Sequence, residues 1–161
     1  MSMCRICLPP VWPEELLPTI QAEVITSRRK VIVLDDDPTG TQTVHDVPVL
    51  TEWPVERLVE ELRGDSPAIY LLTNSRGLPP REAQELSTQI GARLVAASHL
   101  SGTRQEGGQG FVVVSRSDST LRGHFPGEVA ALAEGLGQDF DAWLVIPFFI
   151  EGGRYTIDDI H

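Results

Sequence analysis

The apolar residues of this chain fall into short uninterrupted runs separated by longer amphipathic stretches. Three runs of four or five residues, at 31–34, 68–72 and 111–114, are bounded by polar or turn-forming residues. Such runs are typical of strands buried on both faces of a parallel sheet. A run at 47–50 that contains a proline and a run at 143–146 predict two further strands, the first of them weakened by its proline.

The stretches between the runs have apolar residues at helical spacing. The stripe that starts at Val55 recurs at i+3, i+4 and i+7, and it predicts a helix that ends at Gly64. The other predicted helices cover residues 14–27, a long segment opened by Pro79 and Pro80, and residues 127–136. We expect the helix at 14–27 to pack on the outside of the sheet. Because strands alternate with helices, the predicted fold is α/β with three layers, a mostly parallel sheet with helices on both faces.

Composition narrows the class of protein. The chain has 161 residues, of which 41% are hydrophobic and 22% are charged, enough for one ordinary core. We therefore predict an amino-terminal arm and helix at residues 1–30 and a single domain at residues 31–161. A formal charge of -10 argues against nucleic acid as a partner. The sequence has neither a long apolar run nor a signal peptide, so we expect a soluble, cytoplasmic protein without a membrane partner. Cys4 and Cys7 lack a second pair and are predicted to be inert thiols.

Polar loops follow all three of the clear strands. The sequence after the first strand is DDDPTGTQT, after the second TNSRG, and after the third SRSDSTLRG. Parallel strands end at one edge of a sheet, which is where open α/β sheets bind their ligands. We therefore predict that Asp36, Arg76 and Arg122 meet at one edge and enclose a small anionic polyol.

The first loop contains three consecutive carboxylates. Residues 35–37 repel one another, so folding them into one loop requires compensating cations, donors or solvent. Such a cluster suits the binding or deprotonation of substrate hydroxyls, or a magnesium ion. Gly40 allows a positive φ there, and Thr39 supplies a hydroxyl group. The alternative is a solvated acidic turn.

The other two loops carry arginines beside hydroxyl groups. Asp118 and Arg122 flank Ser119 and Thr120, and an arginine fork binds a carboxylate through two hydrogen bonds. Arg76 repeats this chemistry, and Arg154 adds a further guanidinium group, although solvation at the surface explains Arg154 equally well. The alternative for the third loop is a structural ion pair between Asp118 and Arg122, with the hydroxyl groups as helix caps. A locally cationic pocket in an acidic protein suits a small polyhydroxylated acid.

Three histidines need a separate interpretation. His45 and His124 each adjoin one of the polar loops, and His99 falls at the end of a predicted helix. A lone histidine is more often a hydrogen-bonded structural residue than a base or a ligand. We predict structural roles for His45 and His124 and a solvent-facing position for His99.

Together these motifs resemble the amino-terminal domain of the four-carbon acid sugar kinase family, which includes kinases of threonate, erythronate and 3-oxo-tetronate. The most specific motif of that family, K-x-DSTLRG, has its counterpart at residues 118–123, with Arg116 where lysine is usual. The resemblance covers residues 31–161. The matching residues are, motif by motif, Asp36, Asp37, Thr39 and Gly40; Ser75 and Arg76; Asp118, Ser119, Thr120, Leu121, Arg122 and Gly123; and Pro147, Phe149, Gly153 and Arg154.

The resemblance implies a division of labour between two domains. This domain would bind the sugar acid, while a carboxyl-terminal domain that is missing from the sequence would bind ATP and Mg²⁺. Asp36 or Asp37 would activate the substrate hydroxyl, and Arg76, Arg122 and Arg154 would bind the substrate carboxylate. The rest of the expected substrate site is Thr39, Gly40, Ser75, Asp118, Ser119, Thr120 and Gly123, with no metal site in the chain itself.

The resemblance and the end of the chain also imply limits on activity. Residues 147–161 stop partway through a motif, so we expect a fragment or an excised domain that binds substrate weakly and does not phosphorylate it. The chain has a single lysine, Lys30, and no GxxxxGK[ST] loop to hold a triphosphate. The sequence leaves the oligomeric state open, a homodimer included.

Two other functions fit part of the sequence. The run VIVLDDDPT matches the start of haloacid-dehalogenase-like phosphatases, with Asp35 as the nucleophile and Asp37 as acid/base. Against this function, no lysine follows Lys30, and the DSTLRG motif has no role in it. A non-catalytic sugar-acid sensor cannot be separated from the isolated kinase domain by sequence.

Overall fold

The computed structural model describes residues 13–103, 110–117, 122–146 and 153, without the side chains of residues 42 and 43. The described residues form the strands β1 (Lys30–Asp35), β2 (Val49–Leu50), β3 (Ala68–Leu72) and β4 (Phe111–Arg116). They also form the helices α1 (Leu17–Ser27), α2 (Val55–Arg63), α3 (Pro80–Ser101) and α4 (Gly127–Leu136). Single 3₁₀ turns, Gly40–Thr43 and Ser75–Gly77, follow β1 and β3.

The described strands form one parallel sheet in the order β2-β3-β1-β4. The predicted α/β class with a parallel sheet is therefore confirmed. β1 is the central strand, and its last residue, Asp35, is in register with Leu72 of β3 and Arg116 of β4. The three strands therefore end in register, and the polar residues that follow β1, β3 and β4 start at the same edge of the sheet.

The core lies between the sheet and helices α2, α3 and α4. The connections through α2 and α3 step across the sheet in the same direction, so right-handed crossovers place both helices on one face. The buried cluster on this face comprises Ile32, Leu34, Leu50, Leu58, Leu62, Ile69, Leu71, Ile90, Leu94, Ala97, Phe111, Leu132 and Leu136. Each fully buried leucine or isoleucine contributes about 1.5–3 kcal/mol. On the other face, Val112 and Val114 of β4 are exposed.

Helix α4 packs closely on α3 because glycines lie at the crossing. A Cβ on Gly91 would come within 2.8 Å of the backbone of Leu132 and Leu136, so only glycine allows this approach. The Thr88 hydroxyl donates to the Ala131 carbonyl across the same contact, at 3.2 Å. The crossing holds the first turn of α4 near the carboxyl ends of the strands.

Two elements differ from the prediction. Helix α1 buries none of its residues, so the prediction that it packs on the sheet is wrong. It precedes the first strand, and no crossover connection holds it to the sheet. The predicted strand at 143–146 is also wrong, since these residues lie outside the sheet and Leu144 is 90% exposed. A run of apolar residues shows only that a segment is hydrophobic. To form a strand, the segment also needs a neighbouring strand whose backbone groups are free to pair with it.

The other predicted elements are present with small changes at their ends. β2 is reduced to the two residues that follow Pro48, and β4 extends beyond the apolar run because Ser115 and Arg116 pair with β1. His99 is exposed, as predicted. None of the helices in the described ranges has the length and apolar character that crossing a bilayer requires. Cys4 and Cys7 lie outside the described residues.

Candidate functional site

The carboxylate of Asp35 is buried at the end of β1. Asp35 is 0% exposed, and its Oδ1 accepts a hydrogen bond from Arg116 Nη1 at 3.1 Å. Burial raises the pKa of Asp35, and the charge and hydrogen bond of Arg116 oppose this shift. The arginine that replaces the usual lysine of the third motif therefore stabilises the first of the three consecutive carboxylates.

Gly40 allows this ion pair to form. A Cβ at this position would overlap both the Asp35 carboxylate and the Arg116 guanidinium group. The expected reason for glycine here, a positive φ, is wrong, because the φ of Gly40 lies outside the left-handed region. The requirement is steric instead, since the 3₁₀ turn passes directly over the buried pair.

Arg76 binds the other two carboxylates of the first loop. Its Nε and Nη2 donate to the two oxygens of Asp36 at 3.3 and 3.1 Å, and its Nη1 donates to Asp37 Oδ2 at 2.7 Å. The turn that carries Arg76 starts at Asn74, which has a left-handed φ of 51°. Arg116 and Arg76 are thus the compensating cations that three adjacent carboxylates require.

Asp37 differs from Asp36 in its surroundings. The side chain of Asp36 is 4% exposed, and that of Asp37 is 20% exposed. Asp37 Oδ1 accepts hydrogen bonds from the backbone N–H of Thr39 at 2.7 Å and from the Thr39 hydroxyl. These hydrogen bonds hold the pKa of Asp37 below its ordinary value, helped by the charges of Arg76 and Arg122. Asp37 is therefore an ionised acceptor at neutral pH.

The third loop meets the other two at the same edge. The charge of Arg122 lowers the pKa of Asp37, which places its guanidinium group within electrostatic range of that carboxylate. His124 lies 3.1 Å from the carbonyl oxygen of Ser75, and because a carbonyl only accepts, its Nε2 is the donor. His124 thus has the structural hydrogen bond that was predicted for it, and it ties the start of α4 to the turn after β3.

The structure brings together the predicted site residues that it describes from all three loops. These residues are Asp36, Asp37, Thr39, Gly40, Ser75, Arg76, Arg122 and Gly123. The other four, Asp118, Ser119, Thr120 and Arg154, lie outside the described residues. The structure therefore places Asp36, Arg76 and Arg122 at one edge of the sheet, and the binding of a polyol there stays a prediction.

Sequence reasoning missed Glu128. This residue is in the first turn of α4 and is only 6% exposed. It lines a small cavity together with Leu34, Asp36, Thr73, Ser75, Ser87, Ser115, Ser117 and Leu132. The signal was present in the helix, because Glu128 has the spacing i, i+4, i+8 with the buried Leu132 and Leu136. A carboxylate on an apolar helix face indicates a polar partner inside the protein.

The described carboxylates of this edge have arginine partners and are not grouped as a metal site. Within the described ranges, no group of three or more His, Cys, Asp and Glu side chains is arranged to hold a metal ion. Asp36 and Asp37 already accept from Arg76.

Comparison with known proteins identifies the kind of domain. A family model described as "Sugar-binding N-terminal domain" matches residues 31–161. The match begins at β1 and includes all three polar loops. It confirms the resemblance to an amino-terminal, substrate-binding domain. Among curated proteins and among solved structures, no match to the chain was found.

Proposed function

The chain belongs to the family of sugar-binding N-terminal domains, and we propose that it is the substrate-binding part of an ATP-dependent kinase that phosphorylates a four-carbon sugar acid of the threonate, erythronate or 3-oxo-tetronate type. The observation that carries the proposal is the cluster at the carboxyl edge of the sheet. There Arg76 bridges Asp36 and Asp37, and Arg122 lies near Asp37. Carboxylates suit the hydroxyl groups of such a substrate, and guanidinium groups suit its carboxylate.

The two arginines have different roles in this proposal. Arg122 binds the substrate carboxylate, and Arg154 assists it. Arg76 contributes its positive charge to the same anion while it positions Asp36 and Asp37, to which it donates three hydrogen bonds. Lysine could not replace Arg76 there, since an ammonium group lacks the planar fork that contacts both carboxylates at once.

Asp37 is the residue that accepts the proton of the substrate hydroxyl. It is more exposed than Asp36, and its lowered pKa keeps it ionised. A low pKa makes it a weak base, but phosphoryl transfer through a loose transition state depends mainly on positioning and electrostatics. Asp37 therefore orients the hydroxyl group and receives its proton late in the reaction, while Asp36 and Arg76 maintain its position.

ATP and Mg²⁺ bind mainly to a separate carboxyl-terminal domain in this proposal. The only lysine of the chain, Lys30, donates to the carbonyl oxygens of Gly64 and Ser66 at 2.6 Å each. It begins β1, at the opposite end of that strand from Asp35. When bound, Mg²⁺ with ATP would neutralise charge on the transferred phosphoryl group.

The phosphatase alternative has no support. Its nucleophile would be Asp35, which is fully buried and paired with Arg116. A nucleophile has to reach the phosphorus atom of the substrate, and a buried, ion-paired carboxylate cannot do so without rearrangement of β1 and β4.

Titration of the ¹⁵N-labelled chain with threonate and erythronate tests the proposal, because NMR measures even millimolar dissociation constants. We expect saturable shifts at residues after β1, β3 and β4, and no saturation with the uncharged four-carbon polyols that lack the carboxylate. Arg122→Ala should weaken binding about tenfold or more, since it removes a charge-assisted contact. Arg93→Ala, at an exposed position on α3, is the matched control. Absence of saturable binding to any four-carbon sugar acid would refute the proposal.

A further inference from the structure

A buried carboxylate oxygen in α4 has no hydrogen-bond donor among the residues that the structure describes. Glu128 is 6% exposed, and none of the described residues donates to its Oε2. A buried acceptor without a donor costs about 1–3 kcal/mol, and more when it is charged. The amino-terminal end of a helix favours a negative charge, but it does not supply the missing hydrogen bond to Oε2. The position of Glu128 therefore indicates a partner outside the described protein atoms.

The cavity that Glu128 lines has the size of one small polar group. Its volume is about 10 Å³, room for about one water-sized group. The wall also includes Asp36, Ser75 and Ser87, which come from the end of β1, the turn after β3 and the inner face of α3. Asp36 and Ser75 belong to the candidate substrate site, so the cavity borders that site.

The wall of the cavity is rich in acceptors. The Ser87 hydroxyl donates to the Ala83 carbonyl at 2.9 Å, so its oxygen is left to accept. Glu128 Oε2 and the Asp36 carboxylate are acceptors as well. The two carboxylates in the wall repel anions, and the volume is too small for a phosphate or carboxylate group. The described residues also offer no cluster of three metal ligands. A small neutral donor fits this wall, and a hydroxyl group of the substrate is such a donor.

We propose that Glu128 recognises one hydroxyl group of the bound sugar acid, which enters this cavity and donates a hydrogen bond to Oε2. The proposal rests on the proposed function and deepens it, because it assigns a specificity-determining residue. An acid that lacks this hydroxyl leaves the buried oxygen unpaired. Sites built to hydrogen-bond a substrate hydroxyl discriminate strongly against analogues without it.

The test combines a substitution with a series of substrates. Glu128→Met removes both acceptor oxygens at similar volume, and a methionine there extends the apolar face formed with Leu132 and Leu136. NMR titrations of the wild type and the variant use a trihydroxy four-carbon acid, threonate or erythronate, and its three monodeoxy analogues. We expect one analogue to bind the wild type about tenfold to a hundredfold more weakly than the parent acid. E128M should lower the affinity for the parent acid by a similar factor and leave the affinity for that one analogue unchanged.

Other results would overturn the assignment. Equal weakening of the parent acid and all three analogues in E128M would indicate a merely structural role. An unchanged affinity of E128M for the parent acid would show that Glu128 does not recognise the hydroxyl group. Glu134→Gln, at an exposed position of the same helix, is the control and should change no affinity.

A second variant covers the case in which E128M does not fold. Glu128→Gln keeps the size and shape of the side chain but exchanges the carboxylate for an amide, so it should weaken binding of the parent acid while sparing the same analogue. If it weakens the acid and all three analogues alike, the cavity does not recognise a hydroxyl group. Failure of the wild type to bind any of the acids would overturn the proposed function together with this inference, whereas binding that neither substitution at Glu128 affects would overturn this inference alone.

Discussion

Arg116 and Asp35 face each other across the β4–β1 ladder and form an ion pair in which Nη1 lies 3.1 Å from Oδ1. Asp35 is fully buried, whereas Arg116 is partly exposed, so the pair connects the interior of the sheet with its surface. The same two side chains touch Gly40, and through it they set the path of the acidic loop over the sheet edge.

Removing the cation of this pair should destabilise the fold in a pH-dependent way. Arg116→Gln leaves the Asp35 carboxylate buried without its partner, at a cost of about 1–3 kcal/mol in neutral buffer. Burial already raises the folded-state pKa of Asp35, so stability contributed by this group is lost as the pH rises from its unfolded to its folded pKa. Without Arg116 the folded-state pKa of Asp35 rises further. The stability that the variant loses relative to the wild type is therefore larger in neutral than in weakly acidic buffer. Urea denaturation in weakly acidic and neutral buffers measures it.

Arg116→Lys is the matched control, because it keeps the positive charge beside Asp35. We expect this variant to retain most of the stability in neutral buffer. An R116Q destabilisation that is the same in weakly acidic and neutral buffers would contradict the role of the ion pair.

A methyl group at Gly40 should disturb the site more than its size suggests. Gly40→Ala places a Cβ where the Asp35 carboxylate and the Arg116 guanidinium group meet, and overpacking of this kind costs about 1–3 kcal/mol. Gly77→Ala is the control, since a Cβ at Gly77 meets no atom within 4 Å. Thermal or urea unfolding of both variants measures the difference, and equal stability of the two would show that Gly40 is not sterically required.

The hydroxyl of Thr39 should control the ionisation of Asp37. Thr39→Val removes the side-chain hydrogen bond, the largest of the causes that lower the pKa of Asp37, so this pKa should rise toward its ordinary value. A depressed carboxyl pKa contributes stability above the unfolded pKa and loses it as the pH falls through the folded pKa. T39V should therefore be less stable than the wild type in neutral buffer, with the difference vanishing in acid. Carbon-detected NMR titration of the Asp37 carboxyl group tests the shift, and an unchanged midpoint would contradict it.

Arginine itself, rather than positive charge, should be required at position 76. Arg76→Lys retains the charge but loses the fork that contacts Asp36 and Asp37 together, so sugar-acid binding should weaken about tenfold, almost as much as in Arg76→Ala. NMR titration with threonate or erythronate measures both variants. Wild-type affinity in R76K would show that Arg76 acts only through its charge.

Much of the fold was predictable, because the residues that face the core recur along the sequence at the spacing of a helix or a strand. The helices α2, α3 and α4 and the strand β3 occupy the predicted segments, since apolar spacing and the bounding proline and glycine residues mark them directly. Helix α1 and residues 143–146 show where this reasoning stops. Their apolar residues have suitable spacing, but spacing does not reveal whether another element covers them.

The location of the candidate site was predictable from the sequence, but most of the side-chain contacts within it were not. Strand order and parallel pairing bring the three polar loops to one edge, a consequence of topology that the alternation of strands and helices already implied. This alternation did not reveal which charged side chains pair with each other. Asp36 and Arg76 are 40 residues apart, and Asp35 and Arg116 are 81 residues apart.

The sequence by itself determined the class of fold, the positions of most elements and the three loops that carry the chemistry, because hydrophobic periodicity and turn residues are local properties of the chain. Only the tertiary structure decided that Arg116 neutralises Asp35, that Arg76 holds Asp36 and Asp37, and that Glu128 lines a buried cavity beside Ser75. These contacts depend on the register of neighbouring strands and on the close crossing of α3 and α4. Both are properties of the packed molecule, in which residues far apart in the chain share one small volume.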